Sequence, residues 1–194
     1  MERRFWPGEI RVERAEGKAT KIGGYAARFN SESVDLGGFS ERIAPGAFAA
    51  ALAKGADVRA LLNHNPDVVL GRSKSGTLRL AEDGNGLAFD LDLPDTSAGR
   101  DLAVSVERRD IAEMSFGFSV QKGGDTWSKV GDRWLRTLLS VDLYDVSPVA
   151  FAAYPQTEVG LRAAGVSSEA LAGLAVAKVE EEARERRLRL LEKV

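Results

Sequence analysis

The sequence predicts a mainly β chain with helices, an α+β fold in which antiparallel strands close into a barrel or a closed sandwich and a few helices pack outside. Three observations predict it. Short runs alternate apolar and polar residues with period two, the side-chain period of a strand. Turn-forming clusters separate them, as at Glu82-Asp83-Gly84-Asn85-Gly86 and Gly131-Asp132. Helix start signals mark two stretches between the strands, near Pro45 and near Thr96.

In chain order, residues 8–16 mix charge with Ile10 and Val12 and read as a first, edge-like strand. Residues 19–29 read as a second, whose paired Gly23 and Gly24 mark a bulge or bend where a sheet curls. A polar loop over 30–38 leads to a short strand, Phe39–Ile43. Residues 44–55 place a proline near the start, alanines in the body, a lysine in the last turn and a glycine just past it. That is a short helix, with Phe48 and Leu52 as its buried i, i+4 pair. Val58–His64 reads as a strand with a polar end, Asn65-Pro66-Asp67 as a turn, and Val68–Gly71 as the next strand. Strands at 76–81 and 87–93 flank the loop at 82–86, and Leu87, Phe89, Leu91 and Leu93 share one face. Thr96 or Ser97 caps a helix over 98–109, with Leu102, Val106 and Val104 as its core candidates. Residues 123–130 and 133–146 form a hairpin turning at Gly131-Asp132, and Pro148 ends its second strand.

Between the second helix and that hairpin runs Ile111–Val120. Met114, Phe116, Phe118 and Val120 fall on one face and Ser115, Gly117 and Ser119 on the other. The first face is built to bury. The second is small and carries a hydroxyl near its start, leaving a shallow lane where an extended peptide can lie against the strand.

From about Ser167 the character changes. A long charged segment runs to Val194, with Leu171, Leu174, Val179, Leu190 and Val194 at roughly helical spacing. The chain therefore divides into a domain over 1–160 and a charged, helical tail over 161–194.

Composition narrows the function. Hydrophobic residues make up 44% and charged residues 29%, enough for a packed core. The net charge of -2, from 27 basic and 29 acidic residues, argues against a nucleic-acid-binding domain. There is no cysteine, so disulfides and thiolate chemistry are out, and one histidine leaves no ordinary zinc site. No metal or cofactor is expected. No apolar run approaches the roughly 20 residues of a membrane span, and the first seven residues lack the apolar stretch of a secretory signal. The chain reads as soluble and cytoplasmic.

Common catalytic signatures are missing. Gly71-Arg72-Ser73-Lys74-Ser75-Gly76 fails the spacing of a nucleophile elbow, and there is no phosphate loop or dinucleotide fingerprint. Ser73-Lys74 and Ser128-Lys129 are adjacent pairs that point to opposite strand faces. What remains is His64, at a strand end, and Ser115, on the small-faced strand. A serine hydroxyl needs a base to take its proton, histidine suits that work near neutral pH, and the base needs a third group to hold its tautomer.

Four stretches in this order resemble the prohead (capsid maturation) serine protease family of tailed bacteriophages, the HK97 type. They are Gly24–Asn30 with Phe39–Phe48, Leu62-Asn63-His64-Asn65-Pro66 with Leu70-Gly71-Arg72, Met114-Ser115-Phe116-Gly117-Phe118, and Val141–Phe151. The resemblance covers about residues 23–153. It implies a serine endopeptidase related in fold to the herpesvirus assembly proteases, a β-barrel ringed by helices. It implies action inside the immature capsid, in the host cytoplasm, on scaffold or on the scaffolding arm of the major capsid protein, in contact with the portal and prohead shell. It also implies a homodimer.

By position, the resemblance makes His64 the general base and Ser115 the nucleophile. The third member falls on Asp145, with Asp142 as the other candidate. Backbone N–H groups form the oxyanion hole, with the Leu70-Gly71-Arg72 segment as a candidate source. The tail over 161–194 becomes a targeting or self-cleaved portion. Two alternatives remain open: a non-catalytic assembly factor that binds capsid or scaffold without cutting, and an esterase-like hydrolase. A histidine base implies that activity falls as His64 takes up a proton.

Overall fold

The serine strand forms where the alternation places it, at Glu113–Val120, and three sheets are built around it. The computed structural model describes residues 1–7, 10–14, 16 and 20–150. In chain order these give β1 (Glu2–Pro7), β2 (Arg11–Glu13), β3 (Lys21–Arg28), β4 (Phe39–Ile43), α1 (Ala49–Ala53), β5 (Arg59–Leu62) and β6 (Asn65–Arg72). A 3-10 turn at Ser73–Ser75 follows, then β7 (Leu78–Glu82), β8 (Gly86–Asp92) and α2 (Ser97–Glu107). β9 (Glu113–Val120), β10 (Asp125–Val130), β11 (Arg133–Leu138) and β12 (Val141–Val149) complete the set. The tail expected over 161–194 and the domain boundary near 160 lie outside the described residues.

The mainly β, α+β class holds, but the closed barrel does not. Among the described residues the sheets are open, in the orders β1-β9-β12-β5-β6, β10-β11-β4 and β2-β3-β8-β7. Nor are they purely antiparallel: β12 runs parallel to β5, and β11 to β4. The physical reason for the gap between the first two sheets is visible in the side chains. Where β1 approaches β4 and β11, Arg4 binds Glu41 and Arg136 binds Glu2. Ion pairs join the sheets there instead of a backbone ladder.

The core lies under β9. Met114, Phe116 and Phe118 are fully buried. Phe116 stacks on Phe118 at 5.0 Å and meets Phe48 edge-on at 5.5 Å, and Phe48 in turn stacks on Phe29. Each such side chain contributes roughly 1.5–3 kcal/mol by leaving water. This stripe fixes which face of β9 looks inward, and so which face carries Ser115.

Several expectations shift by a few residues. α1 is one turn of helix, preceded by turns over 45–48; Phe48 is buried and Leu52 half-buried. α2 begins where expected, with Thr96 Oγ1 accepting from the Gly99 N–H, and Val104 is exposed rather than in the core. β3 carries its bulge, a register shift between Tyr25 and Ala27 against β8. The first strand is β1, which the sequence reading passed over. Pro148 lies inside β12 instead of ending it. Its carbonyl accepts from the N–H of Asn63, the residue after β5.

Candidate active site

Three elements of the first sheet converge on its outer face. β9 supplies Ser115, the β5–β6 turn supplies His64, and β12 supplies Asp145 and Ser147. Each is placed by a local feature of the sequence.

His64 sits in a two-residue hairpin turn, not on a strand end. Leu62 pairs with Asn65, and both Asn63 and His64 have positive φ, 53° and 55°. That is the left-handed pair of a type I′ turn, for which Asn-Gly is the favoured dipeptide. Asn63 suits its place. His64 occupies the glycine position, at a cost on the order of 1–3 kcal/mol for a non-glycine residue held there. The turn expected at Asn65-Pro66-Asp67 is instead the first part of β6. The tip is tied to β12 and to the residue after it: Asn63 N–H donates to the Pro148 carbonyl, and Asn63 Oδ1 accepts from the Ala150 N–H.

Asp145 is placed by a bulge in β12. Leu143 pairs with Phe118, but Asp145 pairs with Gly117, so Tyr144 is the extra residue. The bulge switches the strand's parity. Val141, Leu143 and Val146 can then all face the core, while Asp145 and Ser147 face Ser115. Asp142, before the bulge, lies on the outer face too, between Val141 and Leu143 and opposite Ser119. There it accepts a hydrogen bond from Gln121 Nε2 at 2.6 Å and takes no part in the cluster.

The glycine of the serine motif has a different use from the one expected. A Cβ on Gly117 would stand 3.1 Å from Asp145 Cγ and closer still to Oδ2. Gly117 leaves room for the carboxylate, not for a peptide. The lane beside β9 is likewise filled: β12 pairs along one edge and β1 along the other, with Phe5 across from Ser115.

The four polar side chains form one chain of hydrogen bonds. His64 Nε2 lies 2.5 Å from Ser115 Oγ, and His64 Nδ1 lies 2.5 Å from Asp145 Oδ1. An ionised carboxylate only accepts, so Nδ1 carries the proton and Nε2 accepts from the serine hydroxyl. Ser147 Oγ donates to Asp145 Oδ1 at 2.8 Å and lies 3.3 Å from Nδ1. The Phe5 ring stands edge-on to the imidazole, centroids 6.3 Å apart. Ser115 has 0% of its surface exposed, Asp145 3% and His64 6%. In so dry a setting each hydrogen bond is stronger and each unpaired group costlier.

The structure thus brings Ser115, His64 and Asp145 together, and sets Asp142 apart. The Leu70-Gly71-Arg72 segment does not reach the serine. It lies on β6, three strands from β9, about 14 Å at the usual strand spacing. Its Arg72 is engaged elsewhere: the Arg72 N–H donates to Thr77 Oγ1, and the Arg72 guanidinium grips Asp57, holding that carboxyl down to about 2. Ser147 and Phe5 were not singled out by the sequence. Ser147 had one available signal, its spacing of two from Asp145 on a strand. Among the described residues, no cluster of His, Asp and Glu is arranged to hold a metal, and no helix is long and apolar enough to cross a membrane.

Comparison with known proteins adds a family. The family model described as caudovirus prohead serine protease matches residues 8–170. Among curated proteins none matches. Among solved structures, the bacteriophage T4 capsid assembly protease, gp21, is similar at 10% identity and a TM-score of 0.45, covering 77% of this chain and 99% of that one.

Proposed function

The chain belongs to the caudovirus prohead serine protease family, and from that premise we propose that its peptide-bond hydrolysis runs through Ser115, His64 and Asp145. Membership makes the chain a serine endopeptidase of capsid maturation, acting within the phage procapsid on capsid or scaffold protein. The observation that carries the assignment is the unbroken run from Ser115 Oγ through the imidazole to Asp145 Oδ1, with both steps at 2.5 Å.

The chemistry follows from the donors and acceptors. Ser115 Oγ attacks the scissile carbonyl carbon while His64 Nε2 takes its proton. Asp145 holds the Nδ1 tautomer and stabilises the imidazolium that forms. The tetrahedral intermediate collapses as Nε2–H protonates the leaving amine, leaving an acyl-serine. A water molecule, deprotonated by His64 in turn, releases the acid and restores the hydroxyl. Ser147 acts on the carboxylate, not the substrate: its hydroxyl fixes the Asp145 rotamer, so it is a positioning residue.

Further parts of the reading are that the enzyme works in the host cytoplasm, as a homodimer touching the portal and the prohead shell. A fold relation to the herpesvirus assembly proteases also belongs to it, with the site on the outer face of an open sheet. Residues 161–194 serve as a targeting or self-cleaved segment. Mass spectrometry of assembled particles tests this last point: an intact carboxyl terminus in mature particles rules it out.

The main test is co-expression with the cognate capsid protein. Ser115→Ala and His64→Ala should each abolish processing while particles still assemble. Unchanged processing in either variant defeats the assignment.

A further inference from the structure

We infer that the β1-facing edge of β9 is the substrate-binding site, that β1 is its occupant in this structure, and that the substrate is an extended segment with a large apolar side chain where Phe5 stands. The inference rests on Ser115 being the nucleophile. It starts from a contradiction: a nucleophile with no exposed surface cannot meet a protein substrate. Some element against it must move.

The two flanks of β9 are not equivalent candidates. β12 carries Asp145 and Ser147, so its departure dismantles the site. β1 contributes none of the four hydrogen-bonded groups. It runs antiparallel to β9 from Glu2 opposite Phe118 to Pro7 opposite Glu113, with Phe5 directly across from Ser115 and its ring against His64. A strand in that register is what a peptide added to the edge of β9 looks like. β1 also precedes the stretch matched by the family model, which begins at residue 8.

The way β1 is held permits release. Its alternate residues, Glu2 and Arg4, enter a buried cluster with Glu41, Arg136 and Asp125. Together they bring one negative and one positive charge, so their exit leaves the cluster's net charge unchanged. Arg136 stays bonded to Asp125 at 2.7 Å and to Glu41 at 3.2 Å. A substrate carrying the same order, an acid, any residue, a base, then a large apolar residue, can take over every one of these contacts.

The test measures access to Ser115 in the full-length chain with a fluorophosphonate, a reagent that labels only a reachable, activated serine. Arg4→Ala unfastens β1 from Glu41, and Phe5→Ser removes the ring while leaving the charges in place. If β1 occupies the site most of the time, both variants should label about tenfold faster than the parent or more, because the reachable fraction sets the rate. A synthetic peptide copying residues 2–7, added to Arg4→Ala, should slow labelling again, and a scrambled copy should not. Circular dichroism identifies a variant that has unfolded, in which case the other decides. Equal labelling in parent and folded variants overturns the strand proposal. Labelling that persists in Ser115→Ala, or is absent in every protein, overturns the nucleophile assignment instead.

Discussion

The two strands that flank the serine strand are held by opposite chemistry. β12 is locked from below by Val141, Leu143 and Val146, all buried in the apolar core, and presents Asp145 and Ser147 above. β1 turns charges inward: Glu2 and Arg4 meet Glu41 and Arg136 where the sheets come together, and Arg4 lies over the Phe118 ring. An apolar lock carries no charge to be screened or titrated. A buried ion cluster loses its balance whenever one partner is removed or neutralised. The permanent half of the site is thus built on burial, and the half a substrate must approach is built on charge.

The largest expected effect lies on the β12 side. Asp145→Asn offers His64 an amide that can donate as well as accept, which frees the imidazole to adopt the wrong tautomer. Processing should fall by about 10⁴-fold with little change in fold. A loss under tenfold, read from capsid-protein cleavage over time, would mean the carboxylate does not hold the tautomer.

Gly117→Ala comes next. Its methyl group enters the space of the Asp145 carboxylate, and displacing a catalytic group by about 1 Å costs about 10²-fold. Near-normal cleavage in this variant would show that the carboxylate has room to shift, weakening the contrast between a rigid flank and a releasable one.

Ser147→Ala should cost about tenfold in rate, on the order of the worth of one hydrogen bond to a charged group. The Ser147 hydroxyl donates to Asp145 Oδ1 and so holds the carboxylate in place. A rate equal to the parent's would reduce Ser147 to packing.

The same contrast explains what the sequence revealed. Burial writes itself as periodicity, so β9 is legible from Met114, Phe116 and Phe118, and β8 from Leu87, Phe89 and Leu91. β1 faces inward with Glu2 and Arg4, and a strand held by ion pairs leaves no apolar alternation to read. The bulge at Tyr144 was written in the chain as apolar positions 141, 143 and 146, a break in period two that only matters once β9 supplies the register. Asn63-His64 lacked the glycine that would announce its turn, and the stronger signal of Asn65-Pro66 drew the turn two residues too far. His64 and Ser115 stand out by family resemblance; their meeting depends on that turn and on strand order, which no local pattern encodes.

The smallest effect probes the charged flank directly. Burial pushes the Glu41 carboxyl above the ordinary carboxylate range, against the pull of Arg4 and Arg136. The native chain therefore holds that proton more tightly than the unfolded chain does. Between the ordinary value and the raised one, the native state binds more protons, so this residue's contribution to stability falls as pH rises through that window. Glu41→Gln has no proton to lose there. Thermal melts at a series of pH values should show the parent losing ground to Glu41→Gln across the window. Parallel curves for the parent and Glu41→Gln would mean that the ion pairs with Arg4 and Arg136 fully offset the burial of the carboxyl, and that β1 is fastened as firmly as β12.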